Sequence, residues 1–227
     1  MTERVSFLIN DADVPALRQM VSNLIRIGYS ETAVRQRLGL QDLADLQWRA
    51  VPIYRAERLA ARDPLALVID LFLLQGVLSA GELDRLFVAS DQFVLVQSGL
   101  LAIDEMGSAR ARASLFPVGD RLIFSDHAWP KLPHPGYTAV PYDQVMFVGA
   151  DSRALARCTV RQPVRIALDL CTGSGIQALL ASRHSQRVLA VDINSRAACC
   201  ALFALKRPHF RREQCRGHGR GSFRGHG

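Results

Sequence analysis

A chain of 227 residues with 49% hydrophobic side chains holds enough apolar material for one large domain or two small ones, which excludes global disorder. The formal charge of +7 is not spread evenly: from Lys206 onward seven basic residues accompany one acid, whereas the first 205 residues carry 21 basic and 20 acidic side chains. No run reaches eighteen apolar residues, so no membrane partner is expected, and five cysteines without a CxxC pair point to reduced thiols and a cytoplasmic protein. The N-terminal MTERVSFLINDADV has acids on both sides of its apolar run and does not read as a signal peptide.

In chain order, Leu17, Met20, Val21, Leu24 and Ile25 fall at helical spacing and predict a helix over 15–27. A second helix follows, with Ser30 as N-cap and Gly39 as its stop. Asp63-Pro64 starts a third, over about 64–75, apolar on most sides, buried and ended by Gly76. Ser79 to Glu82 has capping-box spacing, with Leu83, Leu86 and Phe87 behind it. The period then changes. Arg110, Arg112 and Ser114 alternate with Ala111, Ala113 and Leu115, and RLIFSD follows a turn near Gly119-Asp120, which reads as a β-hairpin. Helix, turn, helix, hairpin is the order of a winged helix, a module that either touches nucleic acid or covers a neighbouring site. The proline-rich stretch from His127 to Asp143 reads as a linker or wrapped loop, placing a domain boundary between about 128 and 145. VMFVGADSRALARCTV then predicts a short strand, a turn at Gly149 and a helix capped near Ser152.

Ile166 to Leu170 reads as a strand and Gln177 to Ser182 as a helix, with Gly173 and Gly175 between them. Strand, glycine turn and helix is where backbone N–H groups cradle parts of a nucleotide, and glycine there lets the ligand approach closely. A second strand, Arg187 to Ile193, carries Asp192 near its end. An acid about 17–20 residues past the glycines is placed to accept hydrogen bonds from ribose hydroxyls. Three positions past Gly175 stands Ala178, and Asp169 lies four residues before Gly173.

LDLCTGSGIQALLAS resembles the first motif of class I S-adenosyl-L-methionine-dependent methyltransferases, in the small-domain group that includes release-factor glutamine methyltransferases and RNA base methyltransferases. VLAVDINSRA is similar to that group's second motif, and VGADSRALARCTVRQPV to a segment that precedes the first. The resemblance is specific over about 144–206 and loose before it. It implies an α/β fold: a helical, winged-helix-like N-terminal domain over 1–130, followed by an incomplete Rossmann-like methyltransferase domain over 144–206. It implies S-adenosyl-L-methionine as cofactor. Asp169 would orient the ammonium, Thr172, Gly173, Ser174 and Gly175 would form the turn beneath ribose and methionine, Asp192 would hold the ribose hydroxyls, and Ile193 would lie on adenine. Cys171, where many relatives have glycine, would crowd the ligand slightly. The implied reaction is methyl transfer to a nitrogen of a protein glutamine or a nucleic-acid base.

The NPPY-type tetrapeptide that grips the acceptor in that group is absent: the sequence contains no Asn-Pro-Pro or Asp-Pro-Pro. After Ala204 no apolar strand or amphipathic helix is legible. Either the chain is truncated or frame-shifted after about residue 206, or residues 207–227 are a basic disordered tail that binds RNA weakly through charge. His209, Cys215, His218 and His226 match no standard zinc spacing, so no metal is expected, and Cys199-Cys200 read as packing residues. On this reading the chain itself is inactive as a methyltransferase. The rival reading is a non-catalytic RNA-binding module built from the winged region and the tail.

Overall fold

The apolar spacing at the start of the chain becomes α1 (Val14–Arg26), with Leu17, Met20 and Leu24 buried. In the computed structural model, residues 14–119, 121–127, 143–197 and 200 are described. The readings made of the proline-rich stretch over 128–142, of Cys199 and of the tail lie outside them. In α2 (Glu31–Leu38) the Ser30 side chain accepts the Ala33 N–H, and Gly39 ends the helix at φ +73°. Short 3-10 turns at Leu43–Asp45 and Trp48–Ala50 lead through α3 (Val51–Ile53) into a π turn at Tyr54–Arg58.

Asp63 caps α4 (Pro64–Val68), as its Asp-Pro pair predicts. The expected helix over 64–75 then widens into a π turn, Ile69–Leu73, and stops there. Every residue from Ala66 to Leu74 is buried, including Asp70. The Asp70 carboxylate accepts from Arg55 Nε at 2.8 Å and Arg62 Nη1 at 2.6 Å, which neutralises a charge that burial alone would make costly. Gly76 follows at close quarters. Its N–H donates to the Asp70 carbonyl, and a Cβ at this position would collide with the Asp70 carboxylate.

After β1 (Val77–Leu78), α5 (Ala80–Leu86) opens with the expected capping box: the Ser79 hydroxyl accepts the Glu82 N–H and Glu82 accepts the Ser79 N–H. A further helix, α6 (Ala89–Gln97), precedes β2 (Leu101–Ile103) and β3 (Ala109–Ala111). The first three strands form an antiparallel sheet in the order β1-β3-β2. Then β4 (Ser114–Val118) and β5 (Arg121–Ser125) pair as a hairpin around Gly119, φ +61°. The hairpin was expected, but its first strand was expected to alternate from Arg110 onward. Instead the chain leaves the first sheet after Ala111, and β4 is buried at all five positions because it packs on the Ile69–Leu73 turn as well as on its partner strand.

No strand forms at 144–148, contrary to the expectation. Val145 and Val148 are buried, but the Val145 backbone bonds to Asp126 at the end of the hairpin instead of joining a sheet. α7 (Ala150–Cys158) starts at Gly149 without a side-chain cap, so the expected cap at Ser152 is three residues late. β6 (Val164–Leu170), α8 (Ile176–Ala181) and β7 (Ser185–Val191) form a strand–helix–strand unit with parallel strands, after which residues 195–197 and 200 are helical. One buried apolar cluster runs from Leu17 to Cys200 and takes in Ile176, Leu179 and Leu180 of α8. The fold is mixed α/β. No helix among the described residues is long and apolar enough to cross a membrane.

Candidate functional site

Parallel pairing brings the ends of β6 and β7 to one edge, with Asp169 opposite Ala190 and Leu170 opposite Val191. The turn that leaves β6 uses three left-handed residues: Cys171 at φ +56°, Gly173 at φ +54° and Gly175 at φ +83°. Two are glycines, for which this region carries no Cβ penalty. The Thr172 N–H reaches across to the Val191 carbonyl at 3.1 Å, and the Gly175 N–H closes back on the Thr172 carbonyl at 2.9 Å. The turn is therefore pinned to the second strand as well as to itself.

Asp169 sits beneath this turn, half-buried. Its Oδ2 accepts the Thr172 hydroxyl at 2.6 Å and the Ala178 N–H at 2.9 Å, joining the strand end to the helix. Among the described residues nothing donates to Oδ1. Burial pushes the carboxyl above its ordinary value. The two hydrogen bonds oppose that shift, and the nearby Asp192 charge adds to it.

Asp192 follows β7 and leans over the turn. Its Oδ2 accepts the Gly173 N–H at 2.8 Å, and its Oδ1 accepts the Asn194 N–H at 2.9 Å. The two acids and the glycine turn are thus directly linked. Thr172 and Ser174 are buried within the turn at 5% and 4% exposure, and Gly175 with them. A Cβ built on Gly173 meets nothing within 4 Å, so the space beside it is open. Cys171 and Ile193 lie on the outside, Ile193 at 87% exposure. The left-handed backbone at Cys171 gives a physical reason why glycine suits this place.

Four participants escaped the sequence reading. Asn194 Nδ2 donates to the Asp143 carbonyl, and Arg196 bonds to both Asp126 and Asp143. The only sequence signal for them is the Asp-x-Asn spacing of a local side-chain turn.

The sheet has two unlike faces. Ala178 of α8 packs with Val188 and Ala190, against Ala167 and Ala181. On β6, Ile166, Leu168 and Leu170 are 48%, 58% and 65% exposed. Among the described residues no group of three or more His, Cys, Asp or Glu side chains is placed to hold a metal ion. Compared with known proteins, the chain matches no family model and no curated protein.

Proposed function

We propose that residues 169–193 bind S-adenosylmethionine as the donor half of a Rossmann-like unit of the kind that transfers methyl to a nitrogen of a protein glutamine or nucleic-acid base, without the acceptor-gripping tetrapeptide that such transfer uses. The observation that carries this reading is the Asp192 carboxylate on the Gly173 amide. Two acids and a glycine turn converge at one end of a parallel strand pair, where ligands of open α/β sheets bind. The acceptor atoms fit the ligand's donors. Each Asp192 oxygen takes one protein N–H and keeps a lone pair for a ribose hydroxyl, and Asp169 Oδ1 remains for an ammonium. The open space beside Gly173 supports close approach, and exposed Ile193 offers an apolar surface to a base. The bound group supplies an electrophilic methyl on sulfur. The chain's part is to hold and orient it.

The element order α4, β1, α5, α6, β2, β3, with the sheet order β1-β3-β2, supports a winged-helix-like reading of the N-terminal part, with its wing between β2 and β3 and not at the hairpin around Gly119 on which the sequence reading rests. That turn carries Asp104, Glu105 and the 86%-exposed Met106. Two acids there repel a phosphate backbone, so the module serves better as a cover for the neighbouring site than as a reader of nucleic acid.

Calorimetry with S-adenosylhomocysteine tests the donor site. The wild-type chain should bind, and Asp192→Ala should weaken binding by about 1–3 kcal/mol through lost ribose hydrogen bonds. Equal affinity of the two proteins removes Asp192 from its role. Because the acceptor-gripping tetrapeptide is missing, labelled-methyl transfer to release-factor peptides, tRNA or rRNA should stay at the level of an Asp169→Ala, Asp192→Ala double variant. Transfer above that level shows an acceptor grip elsewhere in the chain.

A further inference from the structure

We infer that Arg196 is a positioning residue for the donor site, through which the N-terminal part of the chain holds Asp192 in place; the inference rests on the donor reading above. The segment after β7 has no regular structure from Asp192 to Asn194. Two local bonds fold it: the Asn194 N–H to Asp192 Oδ1 at 2.9 Å, and the Arg196 N–H to Asn194 Oδ1 at 3.0 Å. Such bonds on a half-exposed loop compete with water and do not by themselves fix the rotation of a carboxylate.

The fixing groups come from 51 to 70 positions earlier in the chain. The Arg196 guanidinium grips Asp126 as a fork, with Nη2 to Oδ1 at 2.6 Å and Nη1 to Oδ2 at 3.0 Å. Nη1 also reaches the Asp143 carbonyl at 2.9 Å, which accepts Asn194 Nδ2 at 2.7 Å as well. Asp126 is itself held, because its Oδ2 accepts the Val145 N–H at 2.8 Å and its N–H donates to the Val145 carbonyl at 3.1 Å. The side chains of Arg196 and Asp126 are 17% and 19% exposed, so the fork is largely shielded from water, where such bonds are strong.

A continuous series of single bonds therefore runs from the end of β5 through Asp126, Arg196, Asn194 and Asp192 to the Gly173 amide. Without the fork, the loop turns freely and the ligand has to order Asp192 on binding, which lowers affinity. Arg153 makes a comparable tie elsewhere. It joins α7 to Glu31 at 2.5 Å and Asp42 at 2.8 Å without touching the loop, so it serves as a control.

The experiment measures amide hydrogen exchange by NMR and S-adenosylhomocysteine affinity by calorimetry on the full chain. Arg196→Gln, Arg196→Lys, Asp126→Asn and Arg153→Gln are compared with wild type. Arg196→Gln and Asp126→Asn should speed exchange at the Gly173 and Asn194 amides about tenfold while leaving the Ala178 amide, which bonds to Asp169, unchanged. Arg196→Lys should recover part of the protection, and Arg153→Gln should alter neither amide. Affinity should fall about 3- to 10-fold in step with the loss of protection. Unchanged exchange at Gly173 and Asn194 overturns the inference. So does a uniform rise that includes Ala178, which marks a global loss of stability. Asp126→Asn decides the matter if Arg196→Gln does not fold, since it removes charge with little change of shape. A wild-type chain that does not bind S-adenosylhomocysteine defeats the donor reading alone, and the exchange measurements still decide whether Arg196 holds the loop.

Discussion

Phe72 and Leu168 are both large apolar side chains in regular structure, yet Phe72 is fully buried and Leu168 is 58% exposed. Phe72 belongs to a run from Ala66 to Leu74 that neighbouring elements cover on all sides, and it meets Phe87 edge-on at 6.2 Å. Leu168 belongs to a two-stranded sheet that α8 covers on one face with small side chains. The acids differ in the same sense. Glu82, in the first region, is drawn to about 2 by the Arg62 guanidinium, whereas burial pushes Asp169, in the second, upward. The N-terminal part concentrates burial and ion pairing. The strand–helix–strand unit leaves alternate side chains of β6 exposed and holds the candidate site; its α8 joins the main apolar cluster, while Arg153 on α7 and Arg196 after β7 tie the flanking segments to earlier elements. The densest packing and the candidate site are thus placed in different regions of one chain.

The sharpest way to break this comparison is a pair of truncations. Phe72→Ala should cost about 3–5 kcal/mol, read as a drop in the urea midpoint. Leu168→Ala should stay within about 0.5 kcal/mol, because little burial is lost. Similar losses for the two would mean that the second region is as tightly packed as the first.

A smaller effect separates the two acids by pH. Glu82 is lowered from 4.5 to about 2, so its contribution is present above its unfolded value and is lost as pH falls across that window. Glu82→Gln should therefore cost about 1 kcal/mol at neutral pH, with a side chain 23% exposed and partly screened, and almost nothing near pH 2. Asp169 has the reverse sign. Its folded value is raised, so ionisation is disfavoured in the fold and stability declines as pH rises through the range where the group titrates. Asp169→Asn should gain on wild type in that direction, as followed by thermal melts across pH. A gain for Glu82→Gln at neutral pH would erase the contrast.

The smallest expected effect is at Cys171. Glycine relieves the left-handed backbone at φ +56°, but it also gives the unfolded chain more freedom. The two nearly cancel, so Cys171→Gly should alter stability by less than about 0.5 kcal/mol, measured by chemical denaturation. A larger gain would show that the turn stores strain.

What could be read from the sequence was local chemistry. Ser30, Gly39, Asp63-Pro64 and the Ser79–Glu82 box act within one turn of the chain, and each does what its residue type dictates. The Asp169–glycine–Asp192 spacing belongs to the same category, since one strand–helix–strand unit contains it. What escaped depends on distant partners or on irregular geometry. A π turn at Ile69–Leu73 leaves no mark in a run that is apolar apart from Asp70, and β4 loses its alternation because both faces are covered. Strands of two or three residues, such as β1 to β3, are too short to show a period. Arg196 and Asp126 are separated by 70 residues, and nothing in either neighbourhood names the other.

Gly76 has room for a hydrogen atom and nothing larger, because the Asp70 carboxylate occupies the place of a side chain. A change at either position alone is costly. A side chain at 76 requires a smaller residue at 70, and a smaller residue at 70 deprives Arg55 and Arg62 of their shared acceptor. The four positions are therefore inherited as a unit: across diverged descendants of this chain they should vary jointly, with the substitution at 70 preceding any at 76.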